Sequence, residues 1–328
     1  MMHTGFSNLD GFLKKYDKFV ISTHESPDWD GLGSELGFRE LLGLLGKKCI
    51  IINSDPPPAT YSSMDTAGVL NVMDGDFKMP DDIGDHAHVV LDTNDYENIG
   101  AVYYALKGRL RDLFIIDHHE GGDEKFDSNF IKAGASSASE LVYEIFQYYQ
   151  KPISSGTALA LMAGIVFDTG SFRYSKTSPD TFRAAAHLVE LGASPVAVNE
   201  IIYENNTLES FTLRSMIQSS MKTLCGGKLA TLMLTPEMLE KSGASFAEGE
   251  PSINLPLAVR GVQASIMVKQ DLNGPVKVSM RTKGNLDVAE IAIKNGGGGH
   301  KNAAGYKSPL GIEETYSKAV SEMEKFFK

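Results

Sequence analysis

Short apolar runs bounded by polar residues punctuate the first third of the chain. Lys18 to Thr23 (KFVIST), Lys48 to Asn53 (KCIIIN), His88 to Asp92 (HVVLD) and Leu113 to Asp117 (LFIID) have the length and β-branched content of buried strands. Between the first two, Gly31 to Leu45 spaces its leucines as a helix does, and the Pro56-Pro57-Pro58 run breaks the chain after the second strand. Strands alternating with helices predict an α/β fold on a doubly wound, mainly parallel sheet. From Ser137 to Ser220 the pattern turns helical, and Ser178 followed by Pro179 marks the start of a helix that runs to Leu191.

A second texture begins after Gly226-Gly227. Lys228 to Leu234, Val262 to Gln270 and Val276 to Thr282 read as strands. Leu286 to Lys294 reads as a helix ended by Asn295 and four glycines, and Gly311 to Phe327 as a last helix. The expected organisation is a domain over residues 1–204, a linker over 205–225 and a smaller α/β domain over 226–328.

Composition narrows the class. A chain of 328 residues, 42% hydrophobic and 22% charged, fits a globular enzyme of about two domains. Cys49 and Cys225 are far apart, so neither a disulfide framework nor a thiolate metal site is expected. The first ten residues lack a basic stretch followed by an apolar one, and no apolar run approaches the ~18 residues of a membrane span. The expectation is a cytoplasmic protein with no membrane partner. The net charge of -11 is uneven: residues 226–328 carry 13 basic and 11 acidic side chains, which leaves -13 for the rest. An acidic first part repels a long polyphosphate backbone, which favours short substrates over long duplex nucleic acid.

Five segments carry candidate chemistry. His24, Asp28 and Asp30 put one imidazole and two carboxylates where a strand gives way to a helix, a set suited to hard metal ions. On extended backbone the two aspartates, two residues apart, would point the same way; the plainer alternative is that Asp30 caps the helix and His24 ends the strand. Asp92 closes an apolar strand, as many helix caps do. Asp117-His118-His119 closes another, and two histidines behind a carboxylate favour metal or phosphate work over a structural role. Asp168 ends a helical run, with Arg173 as a phosphate contact; a helix terminus capped by Gly170 fits as well. Gly296 to Gly299, then His300-Lys301-Asn302-Ala303-Ala304-Gly305, offers backbone amides to an anion, against the alternative of a flexible linker. Arg281, on a predicted strand, is a natural phosphate fork. Two other motifs fail: Leu36 occupies the third glycine position of a dinucleotide fingerprint, and Asn302 follows Gly299-His300-Lys301 where a Walker loop needs Ser or Thr.

In this order and spacing the five segments resemble the DHH phosphoesterase family across nearly the whole chain. His24, Asp28 and Asp30 match its first motif, Asp92 its second, Asp117-His118-His119 the namesake triplet and Asp168 the fourth, while Gly297 to His300 matches the glycine-histidine segment of its associated C-terminal domain. Within the family the chain is similar to the bifunctional oligoribonuclease and pAp phosphatase branch, on Arg281-Thr282-Lys283 and His300 to Gly305. It departs from the usual pattern at Trp29 between the two aspartates, where a change of pocket shape is expected, at Gly31-Leu32, and at Glu120-Gly121-Gly122 after the triplet.

The resemblance implies two divalent cations, expected to be manganese. One would be held by His24, Asp28 and Asp92, the other by Asp30, Asp92, His118 and Asp168, with Asp92 bridging. It implies that Asp117 orients a histidine, that His119 touches phosphate, and that Arg281, Gly297, Gly298, Gly299 and His300 grip substrate from a second domain closing over the cleft. The implied activity is hydrolysis of short oligoribonucleotides and of 3'-phosphoadenosine 5'-phosphate; a homodimer is a family expectation. The alternatives are a cyclic or linear di-AMP phosphodiesterase, an exopolyphosphatase or pyrophosphatase, and a non-enzymatic nucleotide sensor. Six intact ligand positions argue against the last.

Overall fold

The computed structural model describes residues 4–58, 60–61, 64–65, 67–120 and 128–327. Of the residues named above, Gly121, Gly122 and the side chain of His300 lie outside them. Two compact units divide after Asn205.

The first unit contains α1 (Thr4–Lys15), β1 (Lys18–Ser22), α2 (Trp29–Leu44), β2 (Lys48–Asn53), β3 (Leu70–Val72), β4 (Ala87–Leu91), α3 (Ala101–Leu106), β5 (Leu113–Asp117), β6 (Asn129–Ile131), α4 (Ala138–Tyr148), α5 (Ser155–Asp168), α6 (Pro179–Glu190) and α7 (Pro195–Tyr203). Its strands form one sheet in the order β3-β2-β1-β4-β5-β6, with every pair parallel. The doubly wound parallel sheet expected from the sequence is therefore present. Both faces are covered, which explains strands that are apolar at consecutive positions. Phe19 and Ile21 of β1 pack with α1, α2, α4 and α5, while Val20 faces Ile99, Val102 and Leu106 on the other side. Helix α1 and the three-residue strands β3 and β6 add to the expected elements; strands that short carry no readable period.

The glycines of α2 have a packing reason. A Cβ at Gly33 would lie 2.5 Å from the Ala160 carbonyl oxygen of α5, so the two helices approach as closely as their backbones allow. That contact offsets the poor helix propensity of glycine.

The second unit contains α8 (Leu208–Ser219), β7 (Lys222–Leu224), β8 (Leu229–Leu234), α9 (Pro236–Ser242), α10 (Phe246–Gly249), β9 (Ala264–Gln270), β10 (Val276–Thr282), α11 (Ala289–Lys294), β11 (Gly298–His300), β12 (Ala303–Ser308) and α12 (Ile312–Met323). Its sheet runs β11-β12-β10-β9-β8-β7, antiparallel except for the β8–β9 pair. Two features differ from the sequence reading. Residues 205–225 are not a bare linker: Thr207 caps α8, and Leu213 and Ile217, one turn apart, are buried with Leu232, Leu234 and Met267. The helical pattern read from Ser137 to Ser220 continues through this segment. The glycine run is not a flexible tether either, because Gly298 to His300 form an edge strand paired with Ala303 to Gly305.

The close approach of α2 to α5 makes a paired prediction. Gly33→Val should lower stability by at least the ~1–3 kcal/mol typical of overpacking, read as a lower urea midpoint. Gly43→Ala, in the same helix but with no atom of the described residues outside its own helical turn within 4 Å of the added carbon, should raise stability by about 0.5–1 kcal/mol. Equal midpoints for the two variants would contradict the packing described.

Candidate metal centre

The sheet order reverses between β1 and β4, and in open α/β sheets the crevice at such a point, at the carboxyl ends of the strands, is where ligands bind. The chain places His24 just past β1 and Asp92 just past β4. His24 Nδ1 donates to the Glu25 carbonyl at 2.8 Å, which turns Nε2 towards Asp28 Oδ2 at 3.8 Å and Asp92 Oδ2 at 3.6 Å. Asp28 is the N-cap of α2: its Oδ1 accepts from the amides of Asp30 (2.9 Å) and Gly31 (3.2 Å), which leaves Oδ2 facing His24.

Asp30 corrects the sequence reading. The cap is Asp28, on extended backbone, whereas Asp30 already lies in the first helical turn, so the two carboxylates serve different partners. Asp30 is fully buried and accepts from the amides of Ala138 (2.7 Å) and Ser139 (2.8 Å), at the start of α4. A helix N-terminus is a favourable place for a carboxylate.

Asp92 occupies the left-handed region with φ 61, unusual for a residue with a side chain. Its Oδ1 lies 3.3 Å from His118 Nε2, and that nitrogen also faces Asp168 Oδ2 at 3.4 Å and Asp30 Oδ2 at 3.8 Å. Asp168 is the last residue of α5, so the alternative of a mere helix terminus is true of its position but does not account for where its carboxylate points. Asp117 is buried and clamps His119, accepting from its Nδ1 at 2.7 Å and its amide at 3.1 Å. The His119 side chain is 54% exposed, with Nδ1 4.0 Å from Asp92 Oδ1. Of the nine candidate residues named in the first unit, eight thus converge; Arg173, the ninth, donates through Nε to the Gly170 carbonyl. The remaining named residues belong to the second unit. Strand register sets Arg281 of β10 opposite Ala303 of β12, and Ala303 opposite His300 of β11. At Gly299, with φ 134, a Cβ would meet the Ala303 carbonyl oxygen at 2.5 Å, so glycine is required there.

The charges call for cations. Asp92 Oδ1 and both ring nitrogens of His118 are buried with no hydrogen-bond partner among the described residues. Leaving such groups unpaired is costly. The donor atoms of three sets lie within 4.8 Å of one another: His24, Asp28 and Asp92; Asp30, His118 and Asp168; and Asp92, Asp117, His118 and His119. Imidazoles and carboxylates together fit a divalent metal ion. Burial opposes charge on His24, but Asp28 and Asp92 outweigh it and push its pKa up to about 11. Burial and the neighbouring Asp92 and Asp168 carboxylates hold Asp30 well above the usual carboxylate range.

Several contributing residues were not legible in the sequence. Asn53 Oδ1 accepts the Thr23 amide at 3.1 Å, and Asn53 Nδ2 donates to the fully buried Glu35 at 2.8 Å, a chain that fixes the backbone just before His24. Lys176 Nζ donates to the His118 carbonyl at 2.8 Å. An asparagine ending the KCIIIN run was the one available sign. Trp29, the departure between the two aspartates, is 5% exposed and packs in the core against Tyr61, ring centroids 4.8 Å apart.

Proton release follows from this electrostatics. The raised His24 pKa stabilises the metal-free fold fully below about pH 6.5, and that contribution fades as the pH rises towards about 11. A cation needs the neutral ring, so near pH 7.5 it must displace a proton, and affinity should rise about tenfold per pH unit for each proton released. Calorimetry in two buffers of different ionisation enthalpy should show manganese uptake releasing about one proton or more per chain. Uptake with no release would contradict a His24 ligand.

Residues 18–165 match the DHH family, N-terminal domain, and residues 252–328 match the DHHA1 domain. The chain is 27% identical over 312 residues to the probable bifunctional oligoribonuclease and PAP phosphatase NrnA of Streptococcus mutans, covering 93% of this chain and 94% of that protein. It is 26% identical to the cyclic-di-AMP phosphodiesterase PdeA of Listeria monocytogenes, covering 98% of this chain but 49% of that protein. An exopolyphosphatase-related protein from Bacteroides fragilis shares the fold, with a TM-score of 0.91 at 24% identity over 99% of this chain and 96% of that one. Among the described residues no helix is long and apolar enough to cross a membrane. The chain thus carries a DHH-family N-terminal domain, which holds the metal-type cluster, followed in sequence by a DHHA1 domain.

Proposed function

We propose that the chain hydrolyses short oligoribonucleotides to mononucleotides and removes a phosphate from 3'-phosphoadenosine 5'-phosphate, using two divalent cations. The observation that carries this reading is the Asp92 carboxylate, one oxygen facing His24 and the other His118. A single carboxylate with an imidazole on each side is what a bridged pair of ions needs. His24, Asp28 and Asp92 would hold one ion; Asp30, Asp92, His118 and Asp168 would hold the other. Bound ions, for which this donor set favours manganese, would supply a water of lowered pKa and stabilise charge on the phosphoryl group.

The chain's own groups do the rest. The α4 amides fix Asp30, and the Glu25 carbonyl fixes the His24 tautomer so that Nε2 is the ligand atom. Asp117 occupies His119 Nδ1, which leaves Nε2 of the exposed ring to meet a phosphate oxygen. Arg281, the backbone of Gly297, Gly298 and Gly299, and His300 belong to the same proposal as substrate contacts, as do a cytoplasmic location and a homodimer. The relative named for oligoribonuclease and PAP phosphatase activity supports this substrate class, because the alignment spans nearly all of both chains. A second reading, hydrolysis of cyclic or linear di-AMP, is supported by the Listeria relative at similar identity.

Purified protein with manganese should be offered an RNA dinucleotide, 3'-phosphoadenosine 5'-phosphate, cyclic and linear di-AMP, and pyrophosphate. The first two should be consumed fastest, and a chelator should stop the reaction. Asp92→Ala should lower kcat by more than the ~100-fold typical of losing an outer partner of a metal ligand. Faster loss of the di-AMP species would select the second reading. Full activity in Asp92→Ala would contradict both.

A further inference from the structure

Just beyond Asp168 the chain makes an expensive turn. Gly170, Ser171 and Phe172 all sit in the left-handed region, with φ of 56, 60 and 63. A bulky residue such as Phe is rarely found there. The turn is nonetheless firmly held. Val166 O accepts the Ser171 amide at 2.8 Å, Thr169 Oγ1 accepts the Phe172 amide at 3.0 Å, and Arg173 Nε donates to the Gly170 carbonyl at 2.6 Å. Strain that the surroundings enforce is characteristic of functional sites.

The turn that begins at Asp168 carries aromatic rings. Phe172 stacks on Phe182 at 5.1 Å between centroids and 23° between planes, and Phe182 is 55% exposed. Tyr174 is 58% exposed, with its ring over Gly170, where a Cβ would come within 2.5 Å of it. A ring placed only to fill the core would be buried; these keep open area. Three links tie the rings to the site. Asp168 starts the turn, and Lys176 Nζ reaches the His118 carbonyl at its far end. Thr181, the neighbour of Phe182, donates to Glu140 at 2.8 Å, and Glu140 follows Ser139, whose amide holds Asp30. Arg173 is exposed, and beyond its bond to Gly170 its guanidinium has no protein partner among the described residues.

We propose that Phe182, backed by Phe172, is the platform on which a nucleobase of the substrate stacks while its phosphate lies at the metal centre, with Arg173 facing a further phosphate. Base-on-ring stacking tolerates any base, because every base has a π-face. The platform would separate nucleotides from pyrophosphate and polyphosphate, which have no ring to stack. It rests on the phosphoesterase reading above and names the substrate feature that the metal centre by itself does not recognise.

The test compares a diadenosine RNA dinucleotide with the same backbone lacking one or both bases, in the manganese-loaded protein. F182A should raise KM for the dinucleotide by about ten- to a hundredfold, far more than for the abasic analogue. F182L should behave like F182A, and F182W should restore the wild-type KM. Tyr104→Ala, an exposed aromatic elsewhere on the unit, should leave both substrates unaffected. Equal effects of F182A on both substrates, no effect on either, or rescue by leucine would overturn the platform. If the wild type turns over neither substrate, the phosphoesterase reading fails. The platform is then judged by calorimetry with adenosine 5'-monophosphate, where a ten- to hundredfold weakening in F182A supports it and unchanged binding overturns it.

Discussion

The site depends on one constraint: a buried carboxylate held between two imidazoles. Asp92 leaves β4 in a left-handed conformation, and that turn aims one oxygen at His24 and the other at His118. Two other parts of the structure make this possible. The sheet order sets β1 beside β4 and β4 beside β5, so the residues following three adjacent strands meet at one edge. The helices then bring the remaining acids to the same edge, Asp28 and Asp30 at the start of α2 and Asp168 at the end of α5.

Packing and electrostatics are coupled here. A Cβ on Gly164 of α5 would fall 2.1 Å from Ser139 Oγ and 2.8 Å from Asp30 Oδ1. The close approach of α5 that glycine permits is thus the same contact that keeps Asp30 against the amides of α4. A carboxylate buried this deeply among like charges keeps its charge only with fixed dipoles on one side and cations on the other. The dipoles are those of the α4 N-terminus; the orphaned atoms of Asp92 and His118 mark where the positive charge belongs.

Much of this arrangement was legible in the sequence. Apolar strands that end in Asp or His are conspicuous, because a buried parallel strand has little reason to stop on a charge unless its end lines a site. Asp92 and Asp117-His118-His119 were readable on that ground, as was His24 after KFVIST. What escaped was orientation and support. Spacing suggested that Asp28 and Asp30 point alike, but the helix begins between them and sends each to its own partner. Glu35 sits among the glycines and leucines of α2 as an ordinary helical residue, and its bond to Asn53 spans 18 positions. Trp29, between the two aspartates, packs in the core against Tyr61, a contact the local sequence does not reveal. In the second unit, the helical pattern ran on to Ser220 but did not show that α8 packs Leu213 and Ile217 against β8, and the glycine run gave no hint of its pairing with β12. Local pattern reveals which residues are unusual; long-range hydrogen bonds decide which way they face.

The central claim is that Asp92 joins two metal ions. Electron paramagnetic resonance of the manganese-loaded protein, with metal content measured in parallel, tests it directly. The account predicts two ions per chain with a spin-coupled spectrum, and loss of that coupling in Asp92→Asn. A single ion per chain, or two whose spectrum is the sum of isolated ions and is unchanged in the variant, would contradict it.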